Sequence, residues 1–263
     1  MNLGLLGARV LVTAASQGLG AATARCFSQE GAAVVINSRS LDKLQQTAAS
    51  INTATGNVVF TIAADVSNPA SAQRMVAQAV DSLGGLDILV TNAGGPPAGT
   101  FTKFTIEDWR AAMDLNLIST ISLIQAALPH LRQSRRAAIL TVTSISARQP
   151  TDNLIMSNTV RPAVVGLTKS LSRELGADGI RVNSILPGTT DTERIVFLMN
   201  ARAQANNTTV EEEREKAGQE IPLGRMGQPE EFANAAVFLC SPAASFINGV
   251  ALQVDGGALR SIL

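Results

Sequence analysis

The chain of 263 residues contains no tyrosine, one tryptophan, one histidine and two cysteines. Without tyrosine, no phenol is available anywhere as a proton donor. A single histidine, His130, allows no histidine cluster for a metal, and its setting in Leu128-Pro129-His130-Leu131 fits a surface helix end. Cys26 and Cys240 lie in apolar, helix-like patterns and read as small core residues rather than ligands or a disulfide. There is no excess of either charge, since Lys+Arg and Asp+Glu both count 21. A general nucleic-acid binder or a binder of anionic membranes needs a basic surplus, so the balance argues against both. No basic leader with a cleavage pattern opens the sequence, which leaves the sequon Asn206-Asn207-Thr208 without meaning. No apolar run approaches the ~18 residues of a spanning helix. These absences point to a soluble cytoplasmic protein. Aromatics make up 3% against 46% for all apolar residues, so the core is built mostly from Ala, Val, Ile and Leu.

What is present is a regular alternation of short β-rich runs and longer helical patterns. The strands expected are 9–13, 34–36, 58–62, 87–90, 138–142, 181–185 and 251–254. Between them, helices are expected at 18–30, 41–54, 69–83, 105–134, 157–176 and 229–240. Such alternation predicts a doubly wound α/β fold of Rossmann type, with about seven parallel strands, helices on both faces and right-handed crossovers. Nothing in the composition divides residues 1–263 into two domains. The irregular stretch is 189–220. Its Glu211-Glu212-Glu213-Arg214-Glu215-Lys216 run reads as a solvated helix face, and its position after the sixth strand also suits a mobile substrate lid.

Thr13-Ala14-Ala15-Ser16-Gln17-Gly18-Leu19-Gly20 follows the first strand and opens the first helix. Glycines there let the backbone approach a pyrophosphate, and the helix N-terminus offers unpaired N–H groups and a positive dipole. After the second strand the sequence reads Asn37-Ser38-Arg39, with no acid to hold ribose hydroxyls. Arg39 can pair a 2′-phosphate bidentately and Ser38 can donate to it, which favours NADP(H) over NAD(H); the alternative is a solvated arginine at a strand end.

These motifs resemble the short-chain dehydrogenase/reductase family, in particular its 3-oxoacyl-acyl-carrier-protein reductase type, over nearly the whole chain. The turn is similar to the family's Thr-Gly-x-x-x-Gly-x-Gly, with Ala14 in place of the first glycine. Asp65-Val66 resembles the adenine-contacting pair, and Asn92-Ala93-Gly94 resembles the segment after the fourth strand. Pro187-Gly188 with Thr192 resembles the nicotinamide-side loop. Residues 224–231 and Val254-Asp255-Gly256-Gly257 resemble the C-terminal signatures.

The resemblance implies that a tyrosine protonates a carbonyl oxygen as hydride arrives, assisted by a lysine four residues later, a serine and an asparagine. Asn116 resembles that asparagine and Ser144 that serine. Counting back from Gly166-Leu167-Thr168-Lys169 puts Ser157 at the tyrosine position and Arg161 at the lysine position. Serine is a far weaker acid than a tuned phenol, while arginine keeps its charge and can hold ribose hydroxyls or an oxyanion. Pro162 opposes an interior helical position, so the helix is expected to start near Arg161 and leave Ser157 in a loop, where a mere capping role is the alternative. Asp152 and Asn153 are placed to reach the pocket, and Lys169 fits a surface position.

The function expected is an NADP(H)-dependent oxidoreductase with an altered site, acting on a carbonyl or acyl-thioester small molecule. The alternatives are a catalytically impaired NADP(H)-binding protein that senses or binds a partner, and a lyase or isomerase using the cofactor structurally. The resemblance also implies a homotetramer, paired through the long helices at 105–134 and 156–176. The apolar C-terminal residues 258–263 would lie at a second interface.

Overall fold

A computed structural model describes residues 2–262; Leu263, at the end of the expected second interface, lies outside them. Seven strands form one sheet in the order β3-β2-β1-β4-β5-β6-β7. They are β1 (Arg9–Val12), β2 (Ala33–Ser38), β3 (Val59–Ala63), β4 (Ile88–Thr91), β5 (Ala138–Val142), β6 (Arg181–Pro187) and β7 (Ala251–Val254), and every pairing is parallel. Successive strand residues point to opposite faces, so both faces must be covered. Val10, Val12, Val34 and Ile36 join Phe27 and Phe232 in one core. Leu11, Val35, Leu89 and Ile139 join Met75, Leu123 and Leu131 in the other. The first core is closed by α1 (Gly18–Gln29), α2 (Leu41–Thr55) and α9 (Pro229–Cys240), the second by α3 (Pro69–Leu83) and α5 (Ser119–Leu131). Cys240 is buried and Cys26 packs at the edge of the first core, both as free thiols.

The expected helix at 105–134 is a rod with an interruption. Its first part is α4 (Ile106–Met113), opened by a reciprocal capping box between Thr105 and Asp108. A π turn, Asp114–Ile118, then leads into α5, which ends at Leu131. By length and composition the rod Ile106–Leu131 would suffice to cross a membrane, contrary to the sequence expectation. Its Leu123, Ile124, Ala127 and Leu131 are buried in the second core.

Residues 189–220 also differ from the expected solvated face. They fold into α7 (Glu193–Asn206) and α8 (Val210–Gln219). Glu211, Glu212, Glu215 and Lys216 are exposed, but Glu213 is buried and accepts hydrogen bonds from Thr208 Oγ1 at 2.7 Å and Asn206 Nδ2 at 3.2 Å. It thereby fastens the turn between α7 and α8. Arg214 pairs with Asp191 at 2.6 Å, tying α8 to the segment before α7.

At the amino ends of β1 and β4 lies a buried carboxylate, Asp87. It accepts from the Arg9 backbone N–H at 2.9 Å, Arg9 Nη2 at 2.7 Å and Ser134 Oγ at 2.6 Å. Burial pushes this carboxyl up, but the Arg9 and Ser134 hydrogen bonds outweigh it and hold its pKa at about 2. The cluster clamps together the two strands whose other ends carry the candidate site. A carboxylate depressed on folding stabilises the fold above its unfolded pKa and loses that contribution as pH falls through the folded value. Asp87→Asn is therefore expected to cost about 1–3 kcal/mol at neutral pH. Denaturant midpoints measured from pH 6 down to 2 should fall less steeply for the variant than for the wild type.

Candidate active site

The strand order reverses between β1 and β4, and the chains leaving these two strands diverge to opposite sides of the sheet. A crevice opens where they part, which is where parallel α/β sheets bind ligands. Thr13, at the end of β1, spans it. Its hydroxyl donates to the Asn92 carbonyl at 2.7 Å and accepts from the Asn92 N–H at 2.8 Å. The glycine turn and the Asn92-Ala93-Gly94 loop are thus held as one unit.

The turn is shaped for close approach. A Cβ on Gly20 would collide with the Ala14 carbonyl oxygen, so only glycine fits beneath the loop. Gly18 has φ of +57°, and Ala14 itself adopts a left-handed φ of 48°. The first turn of α1 is free: Gln17 makes no side-chain cap, whereas Ser40 and Asn68 cap α2 and α3. Uncapped N–H groups beside a glycine turn fit a pyrophosphate.

On one side of Asn92 is a cavity of about 460 Å³, lined by Ser16, Ser38, Arg39, Asp65, Val66, Asn92 and Gly94. Seven of the sequence-predicted residues are brought together here. Asn37 is not free to receive a ligand, because its Nδ2 donates to the carbonyls of Ile62 and Ala64 on β3 and beyond it. Burial raises Asp65, but its hydrogen bonds from Ser67 and the charge of Arg39 prevail and leave its pKa below the usual carboxylate value. Lys43 also lines this cavity, one turn into α2 behind the Ser40 cap, and sequence reading missed it. Its signal was a second cation four residues after Arg39.

On the other side of Asn92 a cavity of about 240 Å³ is lined by Leu19, Ser144, Ser157, Arg161, Pro187, Gly188 and Thr192. Gly18 and Thr192 also border a groove along α1. Asp152 and Asn153 are exposed and do not line the cavity; Thr151 and Leu154 take that place. Lys169 is exposed and donates to the Gly249 carbonyl at 3.3 Å.

The helix α6 runs Ile155–Glu174 with Pro162 in its interior, so Ser157 lies inside the helix and not in a preceding loop. Two clamps make this start favourable despite the proline. Asn158 donates its N–H to the Leu154 carbonyl at 2.9 Å, and its side chain pairs in both directions with the Thr151 backbone. Further along, the buried hydroxyls of Thr141, Thr168 and Ser184 hydrogen-bond one another and fix α6 to β5 and β6. Pro162 lies on the exposed face of the helix.

Ser157 is buried, with its hydroxyl 2.9 Å from that of Ser146. Ser144 does not pair with it; its oxygen accepts from the Ser146 N–H at 3.2 Å. Ser146 was not singled out by the sequence, and no motif marks it. Arg161 is 7% exposed and donates from Nη1 to the Val142 carbonyl at 3.0 Å, while its Nε has no partner. Burial, together with the nearby charge of Arg194, lowers its pKa to about 10, so the guanidinium stays charged at neutral pH. Asn116 sits within the π turn that packs against α6; its Nδ2 donates to the Ala112 carbonyl at 3.1 Å, and its buried Oδ1 is unpartnered. Single π turns recur at functional sites because they turn one side chain or carbonyl out of the helical register. Among the described residues, no cluster of metal-ligating side chains occurs.

A family model described as enoyl-(acyl carrier protein) reductase matches residues 13–258. Dehydrogenase/reductase SDR family member 4 of Oryctolagus cuniculus is 35% identical over 249 residues, covering 94% of this chain and 92% of the relative. L-rhamnose 1-dehydrogenase (NAD(P)(+)) of Sphingomonas sp. strain SKA58 is 36% identical over 254 residues, 96% of each chain. The structure of L-sorbose reductase from Gluconobacter frateurii, complexed with NADPH and L-sorbose, superposes with a TM-score of 0.95 at 33% identity, covering all of both chains.

A left-handed alanine costs about 1–2 kcal/mol that glycine avoids, and glycine returns roughly 0.4–1 kcal/mol as entropy of the unfolded chain. Ala14→Gly is therefore expected to leave stability unchanged or raise it by up to about 1 kcal/mol in thermal melts. A clear loss of stability would show that the methyl group packs productively in the turn.

Proposed function

The chain belongs to the short-chain dehydrogenase/reductase family, and from that premise we propose that it is an NADP(H)-dependent oxidoreductase reducing a carbonyl compound through a centre in which Arg161 and Ser157 take the usual Lys and Tyr positions. The observation that carries the proposal is Arg161, a charged and enclosed guanidinium with an unpartnered Nε in the wall of a cavity that meets the glycine-turn crevice at Asn92. The bound dinucleotide supplies the hydride. Ser16, Gly18, Leu19 and Gly20 form its pyrophosphate seat, Asp65 and Val66 border the adenine, and Pro187, Gly188 and Thr192 border the nicotinamide. Gly94 keeps the loop beside the crevice free of a side chain.

Arg39 and Lys43 carry the preference for a 2′-phosphate. Neither makes an ion pair with any described residue, and both line the adenosine-side cavity with Ser38. Arg161 stabilises negative charge developing on the carbonyl oxygen, with no need to give up its own proton. The Ser157 hydroxyl, paired with Ser146, holds a proton at the same wall. Ser144 and Asn116 orient groups around it. The helices α7 and α8 form a lid over the substrate. Subunits pair through α4–α5 and α6 into a tetramer, where Pro162, Ala163 and Gly166 leave a flat exposed face on α6. Two free thiols suit the reducing cytoplasm.

Calorimetric titration should find NADPH bound several-fold to about tenfold more tightly than NADH, and the double variant Arg39→Ala/Lys43→Ala should remove the difference. Equal affinities in the wild type would refute the cofactor assignment.

The missing phenol favours a second reading, a cofactor-binding protein impaired in catalysis. Loss of a positioned acid costs roughly 10²–10⁴-fold in rate. Turnover of ordinary 3-oxoacyl thioesters is expected to be weak by that factor, and Ser157→Tyr/Arg161→Lys should raise it, because α6 already covers both positions. Stopped-flow nicotinamide absorbance with a carbonyl panel separates the two readings. Oxidation of NADPH by any member supports the reductase, and its absence throughout supports the impaired binder.

A further inference from the structure

The cavity around Arg161 has an unbalanced electrostatic lining. Arg161, Arg194 and Arg202 all contribute to it, and no aspartate or glutamate does. None of the three makes an ion pair with any described residue. Arg161 has its Nε unpartnered and buried, and Arg194 Nη2 donates to the Pro96 carbonyl at 3.1 Å. Their charges act on each other, since Arg194 helps to lower the Arg161 pKa. Like charges gathered in a partly desolvated cavity are costly unless an anion joins them.

Arg194 also has a seat built for it. A Cβ on Gly95 would lie 2.7 Å from Arg194 Nη2, so the glycine in this loop leaves room for the guanidinium. The two residues before it, Thr192 and Glu193, face Gly18 and the pyrophosphate turn. Arg194 crosses in the other direction, to the loop after β4. It therefore turns away from the glycine turn and lines the cavity around Arg161.

We propose that the substrate is an oxo acid, a carbonyl compound whose carboxylate is held by Arg194 and Arg202 while its carbonyl oxygen lies toward Arg161. This rests on the reductase reading and narrows it to one substrate class. A planar guanidinium fork matches a carboxylate bidentately, and the two arginines reach from α7, so the acid itself would draw the lid down. Neutral carbonyl compounds of the same shape lack this purchase.

The test uses the full-length protein saturated with NADPH or NADP⁺, in two arms. In the first, acetoacetate, pyruvate and levulinate are compared with their methyl esters by thermal shift of the NADP⁺-loaded protein at constant ionic strength, so the readout does not depend on turnover. At least one acid should raise the melting temperature while its ester does not, and Arg194→Gln/Arg202→Gln should abolish the shift while retaining NADPH affinity. In the second arm, NADPH oxidation should favour that acid over its ester by at least about tenfold in kcat/KM, with the preference lost in the double variant through KM. Equal shifts for acids and esters, no shift from any acid, or a shift unchanged in the variant would overturn the proposal. So would a tenfold loss of NADPH affinity in the variant, which would assign the arginines to the cofactor's phosphates. Failure of NADPH to bind the wild type would instead sink the reductase reading itself.

Discussion

A guanidinium enclosed in protein, with no carboxylate beside it, has to be stabilised by hydrogen bonds and by whatever binds next to it. Arg161 is in that position. One nitrogen donates to the Val142 carbonyl, another has no partner, and the nearest charge acting on it is a second cation. A buried arginine serving only stability would normally be paired. Holding it there requires α6 to begin at Ile155, and that start depends on the Asn158–Thr151 clamp and on the Thr141–Thr168–Ser184 hydroxyl cluster. The framework around the candidate centre can thus be understood as the means of keeping one unpaired cation at a cavity wall.

The rest of the site follows from the sheet. Reversal of strand order at β1 and β4 opens the crevice, the Asp87 cluster clamps the opposite ends of these strands, and Thr13 joins the two loops at the crevice. An uncapped α1 and a glycine under the Ala14 carbonyl leave backbone N–H groups free. The crevice continues on one side toward Arg39 and Lys43, and on the other toward Arg161, Arg194 and Arg202. Cations thus gather on both sides of the crevice in a chain whose formal charge is zero.

The fold was legible because apolar runs of strand length alternate with helical patterns, and because glycine turns and Asn92-Ala93-Gly94 fall at strand ends. The clustering of residues around the crevice was legible for the same reason, since their placement depends on backbone position. Four features were not. Pro162 suggested a late helix start, and its effect was outweighed by the side-chain clamp of Asn158, a long-range consequence of how the loop folds back. The Glu211–Lys216 run looked uniformly solvated, yet Glu213 faces inward to close a turn, which periodicity in a short charged helix does not reveal. The arginines of α7 carry no motif. Their place in the lining of the Arg161 cavity, and the role of Gly95 in seating Arg194, are purely spatial. Ser146 likewise becomes the neighbour of Ser157 only through the tight turn after β5.

In the proposed reductase, Arg161 stabilises the oxygen charge created when hydride reaches a carbonyl. Single-turnover transfer of deuterium from NADPH labelled at nicotinamide C4, comparing wild type with Arg161→Gln at saturating cofactor, measures this role. Deuterium is expected on the carbinol carbon of the product, with a rate lowered by roughly 10²–10³-fold in the variant and cofactor still bound. Transfer at the same rate in both proteins, or no transfer to any carbonyl by the wild type, would contradict it.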